Sequence, residues 1–157
     1  MTEQKKYRAC VGIALFNRNG DVFVGERIDT PNAWQMPQGG IDAGEDVIEA
    51  AYRELYEETG VVRENAELLE LSATVTQYDF PKDIEGHPIY KSHLGQRQNW
   101  VAFRFKGDDS DIDLDAHEEK EFAQWEWSAL KDVSNRIVPF KRKTYDQVIS
   151  MFSKYTK

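Results

Sequence analysis

Three glutamates, Glu54, Glu57 and Glu58, are the side chains of this 157-residue chain that are best suited to chemistry. At roughly 100° per helical residue, Glu57 lies about 60° to one side of Glu54 and Glu58 about 40° to the other. Carboxylates crowded beside a core repel one another and lose hydration, which costs roughly several kcal/mol unless a cation lies among them. The spacing therefore predicts a divalent metal site, and oxygen ligands favour Mg²⁺ or Mn²⁺.

The competing interpretation is a solvated acidic helix face. Asp46, Glu49 and Arg53 fit that interpretation, because Arg53 follows Glu49 by four residues on the outer side and can pair with it. The three glutamates fit it poorly, since their sector borders the apolar side of the same helix.

The helix that carries the glutamates has marked ends. Gly44 closes a loop, Glu45 and Asp46 place negative charge in the first turn, and Gly60 is placed as a C-terminal cap. The buried stripe is predicted to consist of Val47, Ile48, Ala51 and Leu55. Just before the helix, Gln38, Gly39 and Gly40 form flexible backbone, and glycine allows main-chain groups to approach a metal or a phosphate closely.

The stretch from Gly39 to Val61 resembles the Nudix signature at every position of the motif. The matching residues are Gly39, Glu45, Arg53-Glu54-Leu55, Glu57-Glu58 and Gly60-Val61. The resemblance implies hydrolysis of a nucleoside diphosphate linked to another group, on an α/β fold with a mixed sheet in an α/β/α sandwich. It also implies that Glu54, Glu57 and Glu58 hold metals and help to activate water, while Glu45 and Arg53 support the loop and the helix.

Composition indicates one globular domain spanning residues 1–157. The chain is 40% hydrophobic, contains no apolar stretch long enough for a membrane span, and lacks an apolar signal-peptide core at its start. The single Cys10 cannot form an internal disulfide, so we expect a cytoplasmic protein. The net charge of −8 argues against broad nonspecific nucleic-acid binding, so DNA is not an expected partner. Nothing in the sequence indicates the oligomeric state.

The remaining pattern predicts strands around the acidic helix and a second helix near the end. Strands are expected at residues 7–16, 22–24, 34–36, in two short runs within 67–78, at 99–105 and at 122–127. Ser128 is expected to cap a short helix, and Pro139 to open a last helix with an apolar face. Residues 80–94 are predicted to form a long loop that serves as a lid or binding wall. The three histidines are expected to be exposed, and Cys10 and the four tryptophans to belong mainly to the core.

A negatively charged phosphoanhydride needs basic residues as well as metals. Candidates are Arg8, Arg27, the segment Gln96-Arg97-Gln98 before a strand, and Lys141 with its basic neighbours. Each alone is more simply explained as a surface cation, but their shared position at the ends of elements favours a common cleft.

Most of the chain resembles the bacterial RNA pyrophosphohydrolase branch of the Nudix family, which also includes dinucleoside polyphosphate hydrolases. The resemblance rests on Tyr7-Arg8, Trp34 to Gly40, Gly95 to Trp100, Glu121-Phe122 and Val138 to Arg142. It implies that Arg8, Arg27 and Gln96 contact phosphates or the nucleotide, with Gln38 and Lys141 beside them, that Phe140 forms a base-binding wall and that Glu121 is a further metal ligand. The run Glu118 to Glu121 reads equally well as an acidic surface loop.

These observations lead to one preferred hypothesis: metal-dependent hydrolysis that trims triphosphorylated or diphosphorylated RNA to a 5′ monophosphate. Glu57 or another of the three glutamates would accept the proton from water. A diadenosine polyphosphate hydrolase would use the same chemistry, and a non-catalytic nucleotide- or RNA-binding module of the same fold is the alternative of another class. Metal-dependent product formation separates the last alternative from the first two.

Overall fold

The computed structural model describes residues 6–82 and 89–156, which form an α/β architecture. The strands are β1 (Lys6–Phe16), β2 (Val22–Arg27), β3 (Trp34–Gln35), β4 (Gln38–Gly40), β5 (Ala66–Leu71), β6 (Thr76–Asp79), β7 (His93–Phe105) and β8 (Phe122–Ser128). The helices are α1 (Val47–Thr59), α2 (Ile89–Ser92) and α3 (Arg142–Phe152). Short 3₁₀ turns connect several of these elements, at Arg63–Asn65, Asp109–Asp111, Leu130–Asn135, Pro139–Lys141 and Ser153–Thr156.

All eight strands belong to one mixed sheet. Its main order is β3-β2-β1-β7-β5, while β4 pairs with β1, β6 with β7 and β8 with β2. The central pair, β1 and β7, is parallel and keeps its register from Tyr7 opposite Gly95 to Phe16 opposite Arg104. The other pairings are antiparallel, and β4 and β6 flank the beginning of this central pair. One end of the two long strands is thereby surrounded by residues that are far apart in the sequence.

The two faces of the sheet pack against different helices. On one face, Val11, Ile13 and Leu15 of β1 share a core with Ala51 and Leu55 of α1. The other face packs against α3, and its core includes Ala14, Phe16, Trp100, Tyr145, Val148 and Phe152. Because β1 and β7 are covered on both sides, their residues are apolar in succession and not in alternation. The expected α/β/α sandwich with a mixed sheet is confirmed.

Helix α1 begins and ends where its polar residues can satisfy free backbone groups. The Asp46 side chain is the N-cap and accepts hydrogen bonds from the amides of Ile48 and Glu49. Gly60 terminates the helix with φ of 74°, as the sequence predicts. The helix therefore starts at Val47, and Glu45 precedes it instead of lying in the first turn.

Several expected local features differ in the structure. Residues 38–40 form strand β4 instead of flexible backbone, since their main chain pairs with β1. The predicted segment Gln96 to Gln98 lies inside β7, which starts at His93. The Ser128 hydroxyl donates to the Ala129 carbonyl and does not cap the following 3₁₀ turn. Pro139 opens a 3₁₀ turn that precedes α3, whose apolar face is as predicted.

The predicted loop at residues 80–94 contains α2 and the start of β7. Its predicted residues Gly86, His87 and Pro88 lie outside the described residues. Cys10 and Trp100 are buried in the core, as expected, and the other tryptophans are partly buried against it. Within residues 6–82 and 89–156, every helix is too short or too polar to cross a lipid bilayer.

Two glycines with positive φ lie on either side of helix α1, and replacing each of them tests how it contributes to stability. Gly44 has φ of 79° and open space where a Cβ atom would lie, whereas a Cβ at Gly60 would lie 2.8 Å from the Asp113 carbonyl oxygen. Gly44→Ala is expected to lower the free energy of unfolding by about 1 kcal/mol, because only the backbone conformation is penalised. Gly60→Ala should cost about 1 kcal/mol more than this control, since the contact adds to the strain. Equal losses in urea unfolding would contradict the proposed contact.

Candidate active site

A cleft of about 280 Å³ lies where α1 faces β4 and the beginning of the central strands. It is lined by residues from distant parts of the chain, and ten of the thirteen residues singled out from the sequence are among them. These are Arg8, Arg27, Gln38, Gly39, Glu54, Glu57, Glu58, Gln96, Glu121 and Lys141. The other three are Glu45, Arg53 and Phe140. Arg53 contacts Glu54 and Phe140 contacts Tyr78, both of which line the cleft, while Glu45 accepts a hydrogen bond from Arg53.

The three glutamates of α1 differ in their environment. Glu58 is only 5% exposed, and burial, followed by the nearby charge of Glu54, raises its pKa well above the ordinary value. Burial also raises the pKa of Glu54 to about 7, although Arg53 opposes this shift. The Glu57 side chain remains 29% exposed. Glu57 is therefore the member of the group that faces solvent most openly.

Strand β4 holds the glutamates from the opposite side. The backbone amide of Gln38 donates to a carboxylate oxygen of Glu58 at 2.9 Å. A Cβ atom at Gly39 would lie 2.0 Å from the Glu54 carboxyl carbon, so only glycine allows this close approach. The glycine of the motif therefore serves packing against Glu54, in addition to leaving its main chain open to the cleft.

Arg53 has a different partner from the one expected for an acidic surface helix. Its guanidinium donates to both carboxylate oxygens of Glu45 and to the Gly40 carbonyl oxygen. It also contacts Glu54 at 2.8 Å and Glu57 at 3.3 Å. Glu49 pairs with Arg63 instead, so the predicted pairing of Glu49 with Arg53 is wrong. The reason is that the loop before α1 folds back and brings Glu45 over the arginine.

The spacing of the three glutamates predicts a metal as their counter-charge, but Arg53 supplies part of that positive charge. In the described part of the chain, no three His, Cys, Asp or Glu side chains converge into a ready metal cluster. The donor set nevertheless fits a divalent cation, because Glu54 and Glu58 are buried carboxylates with raised pKa values and hard oxygen atoms. Arg53 does not balance Glu58, since it contacts only Glu54 and Glu57 among the three glutamates.

Glu121 reaches the same cleft from the segment before β8. Its backbone carbonyl accepts a hydrogen bond from the Ile28 amide, which ties this segment to the end of β2. Its negative charge is one cause of the raised pKa of Glu58, after burial and Glu54. Glu119 and Glu121 line the cleft whereas Glu118 does not, a distinction that the sequence pattern could not make. His117, expected to be solvent-exposed, is exposed but places its Nε2 atom 3.9 Å from Glu57.

The basic residues of the cleft come from three separate segments. Arg8 packs against Gly40, and Arg27 pairs with Asp29 at 2.6 Å. Lys141 is only 4% exposed, and burial together with the positive charge of Arg27 lowers its pKa to about 7. The interpretation of Lys141 as a surface cation is therefore wrong. Its 3₁₀ turn folds it inward, where a phosphate can restore its charge.

A row of polar and aromatic side chains forms the other wall of the cleft. Gln96 accepts hydrogen bonds from Tyr78 at 2.5 Å and from Gln38 at 3.4 Å, and Gln98 donates to Gln38 at 2.8 Å. The Phe140 ring lies 5.8 Å from the Tyr78 ring. Sequence reasoning did not single out seven further lining residues, Asp29, Gln35, Tyr78, Phe80, Ile89, Tyr90 and Glu119. For Tyr78 the alternation of β6 was an available signal, since Thr76 and Tyr78 both face inward.

Buried carboxylates opposite arginines and a buried lysine, at one end of a mixed sheet, define a site of a particular class. Such a site is suited to a phosphate-bearing substrate together with a divalent cation, because burial raises the pKa of Glu58 and lowers that of Lys141, so that each favours an opposite charge beside it. Hydrolysis of a phosphoanhydride is a reaction that such an arrangement can support.

Comparison with known proteins identifies the family. The NUDIX domain matches residues 6–148. An RNA pyrophosphohydrolase of Novosphingobium aromaticivorans is 49% identical over 93% of this chain and 92% of that protein. A second RNA pyrophosphohydrolase, from Rhizobium meliloti, is 44% identical over 96% of each chain. Among solved structures, the dihydroneopterin triphosphate pyrophosphohydrolase of E. coli has the same fold, with a TM-score of 0.68, 17% identity and coverage of 91% of this chain and 97% of that chain.

The chain therefore belongs to the NUDIX family. It is a Nudix hydrolase, and members of this family generally require divalent metal ions. That requirement agrees with the buried oxygen donors of α1.

The pH dependence of stability should report the buried glutamates when metals are removed by a chelator. Because folding raises the pKa of Glu54 from 4.5 to about 7, the folded chain holds more protons than the unfolded chain in this range. The free energy of unfolding should then fall as the pH rises through it, with Glu54 contributing about 3 kcal/mol. Glu54→Gln should reduce this slope, and a saturating divalent metal should flatten it in the unmodified protein.

Glu64, an exposed glutamate outside the cleft, provides the matched control for that measurement. Glu64→Gln should leave the slope of the unfolding free energy against pH unchanged in urea titrations of the chelated protein. A slope that Glu54→Gln does not alter more than Glu64→Gln would exclude the buried carboxylate as its source.

Proposed function

We propose that this Nudix hydrolase removes phosphates from the 5′ end of triphosphorylated or diphosphorylated RNA and leaves a monophosphate. The observation that carries the proposal is the opposition of Glu54, Glu57 and Glu58 to Arg8, Arg27 and Lys141 across one cleft. The RNA pyrophosphohydrolases that are 49% and 44% identical to it over nearly the whole chain support the choice of substrate.

The glutamates and Glu121 would hold Mg²⁺ or Mn²⁺, together with the Gly39 main chain. A divalent ion bound there would screen the phosphate charges and lower the pKa of a water molecule. Glu57 is the residue that we assign to accept the proton of the attacking water, because it is the least buried of the three. Arg53 fixes the position of Glu57 through a contact at 3.3 Å, and Glu45 in turn fixes Arg53.

The opposite wall would bind the charged end of the RNA. Arg8 and Arg27 would pair with phosphate oxygens, and Gln38 and Gln96 would orient them through neutral hydrogen bonds. Phe140 would contact a base, since its ring lies beside Lys141 and Tyr78. Residues 1–157 would act as one domain in the cytoplasm, where they would meet RNA ends; neither a membrane nor DNA is a proposed partner.

The decisive test is metal-dependent product formation. Glu57→Gln is expected to lower kcat by about 100-fold or more with Mg²⁺, because the carboxamide cannot accept the proton, while KM for a triphosphorylated oligonucleotide changes little. Glu49→Gln, on the exposed side of the same helix, should retain full activity. Near-normal turnover by Glu57→Gln would exclude the proposed role, and an unmodified protein without any product would indicate a binding module.

A diadenosine polyphosphate hydrolase is the alternative that uses the same site. Competition at equal concentration between a 5′-triphosphorylated oligonucleotide and diadenosine tetraphosphate separates the two. We expect a higher kcat/KM for the RNA, and a preference for the dinucleotide would reverse the assignment.

Lys141 should make substrate binding depend on pH. Because its pKa is about 7 in the free protein, a rise in pH beyond this value removes the charge that attracts phosphate. KM should then increase about ten-fold between about pH 6 and pH 8. Lys141→Arg stays charged, so its KM should vary much less with pH, whereas exposed Lys143→Arg should behave as the unmodified protein. Parallel KM profiles for all three proteins would contradict this role.

A further inference from the structure

Four aromatic rings form a row beside the cleft, and three of them, Tyr78, Phe80 and Tyr90, line it. Phe140 lies 5.8 Å from Tyr78, Tyr78 lies 6.0 Å from Phe80, and Phe80 lies 4.8 Å from Tyr90, as distances between ring centres. The last two contacts are edge-to-face, with interplanar angles of 73° and 77°. Tyr78 therefore separates the Phe140 ring from the pair formed by Phe80 and Tyr90.

The members of this row have different exposure. Tyr78 is 8% exposed and its hydroxyl is bonded to Gln96, so it supports the wall from inside. Phe80 and Tyr90 are partly exposed and line the cleft. Aromatic side chains that reach a cleft otherwise lined by charged and amide groups offer a surface on which nucleobases of any sequence can stack.

A basic side chain lies at each end of the aromatic row. Lys141 places its ammonium group 5.9 Å from the Phe140 ring centre and 5.7 Å from that of Tyr78. At the other end, Tyr90 interacts with the side chain of Arg27, which also pairs with Asp29. At each end of the row an aromatic ring thus lies next to a cation, Phe140 next to Lys141 and Tyr90 next to Arg27. This alternation matches a chain in which bases alternate with phosphates.

We propose that Phe80 and Tyr90 form a nucleobase platform, separate from Phe140, that binds a further base of the substrate RNA. The inference rests on the proposed function and extends it, because it assigns recognition of the RNA body to Phe80 and to Tyr90 of α2. Arg27 would then hold a phosphate next to that base, and Lys141 a phosphate next to the base on Phe140. RNA is favoured over a dinucleoside polyphosphate, because successive nucleosides of RNA are joined by a single phosphate. The two nucleosides of a dinucleoside polyphosphate are joined by a chain of several phosphates.

Triphosphorylated trinucleotides with one base at a time replaced by an abasic sugar provide the test. In the unmodified protein, one abasic position should lower kcat/KM by about ten-fold, through KM, because the stacking contact is lost. Tyr90→Ala should lower kcat/KM for the intact trinucleotide by the same factor and make that position insensitive to base removal. Phe140→Ala should remove the sensitivity at a different position.

Two matched variants separate stacking from simple support of the wall. Tyr90→Phe retains the ring and should retain the sensitivity, whereas Tyr90→Leu retains apolar volume without a stacking face and should behave as Tyr90→Ala. If Tyr90→Ala reduces activity on intact and abasic trinucleotides by the same factor at every position, the inference is wrong. It is also wrong as an RNA site if Tyr90→Ala weakens only the hydrolysis of diadenosine tetraphosphate.

Failure of the proposed function gives a different result. If the unmodified protein hydrolysed no trinucleotide, the proposed reaction would be wrong irrespective of Tyr90. Fluorescence anisotropy with the same trinucleotides on the Glu57→Gln variant would still decide the question of the platform. The platform is supported if Tyr90→Ala weakens binding only when all bases are present. It is overturned if Tyr90→Ala leaves binding unchanged.

Discussion

The buried charge of Glu58 is the constraint on which the rest of the site depends. A carboxylate that is 5% exposed and receives one backbone hydrogen bond from Gln38 is poorly balanced by its neighbours, because the charges that raise its pKa, foremost that of Glu54, are also negative. Either a proton or a cation must accompany it. The fold therefore favours positive charge at one end of the sheet, and we propose that a divalent ion of the kind that Nudix hydrolases generally require meets this demand.

The protein distributes positive charge unequally around this group. Arg53 is fixed by Glu45 and the Gly40 carbonyl, so its charge is committed to holding the loop, Glu54 and Glu57 in place. Lys141 is the opposite case, since burial lowers its pKa to about 7 and no carboxylate within the described ion pairs holds it. One cation thus stabilises the folded site, while the other is the one that we propose a bound phosphate would keep charged.

Helix α1 is predictable because its information is local: Gly60 ends it, and Glu54, Glu57 and Glu58 share a face by helical geometry alone. Sequence reasoning fails where contacts join distant segments. The parallel pairing of β1 and β7 places Arg8 opposite Gln96, and no periodicity in either strand reveals that register. Helical spacing favours i, i+4 pairs and so predicts Glu49 as the partner of Arg53, yet the preceding loop offers the better partner in Glu45.

Chemistry and substrate choice are carried by different parts of this Nudix chain. We assign the reaction mainly to helix α1 and the glycine before it, with Glu121 added from a later segment, so a short motif is sufficient to predict hydrolysis. We assign the choice of substrate to Arg27, Tyr78, Phe80, Tyr90 and Lys141, which come from four separate segments and meet only in the folded chain. A fold organised in this way can retain its chemistry while its substrate changes, which explains why a fold match at 17% identity reveals the architecture but not the ligand.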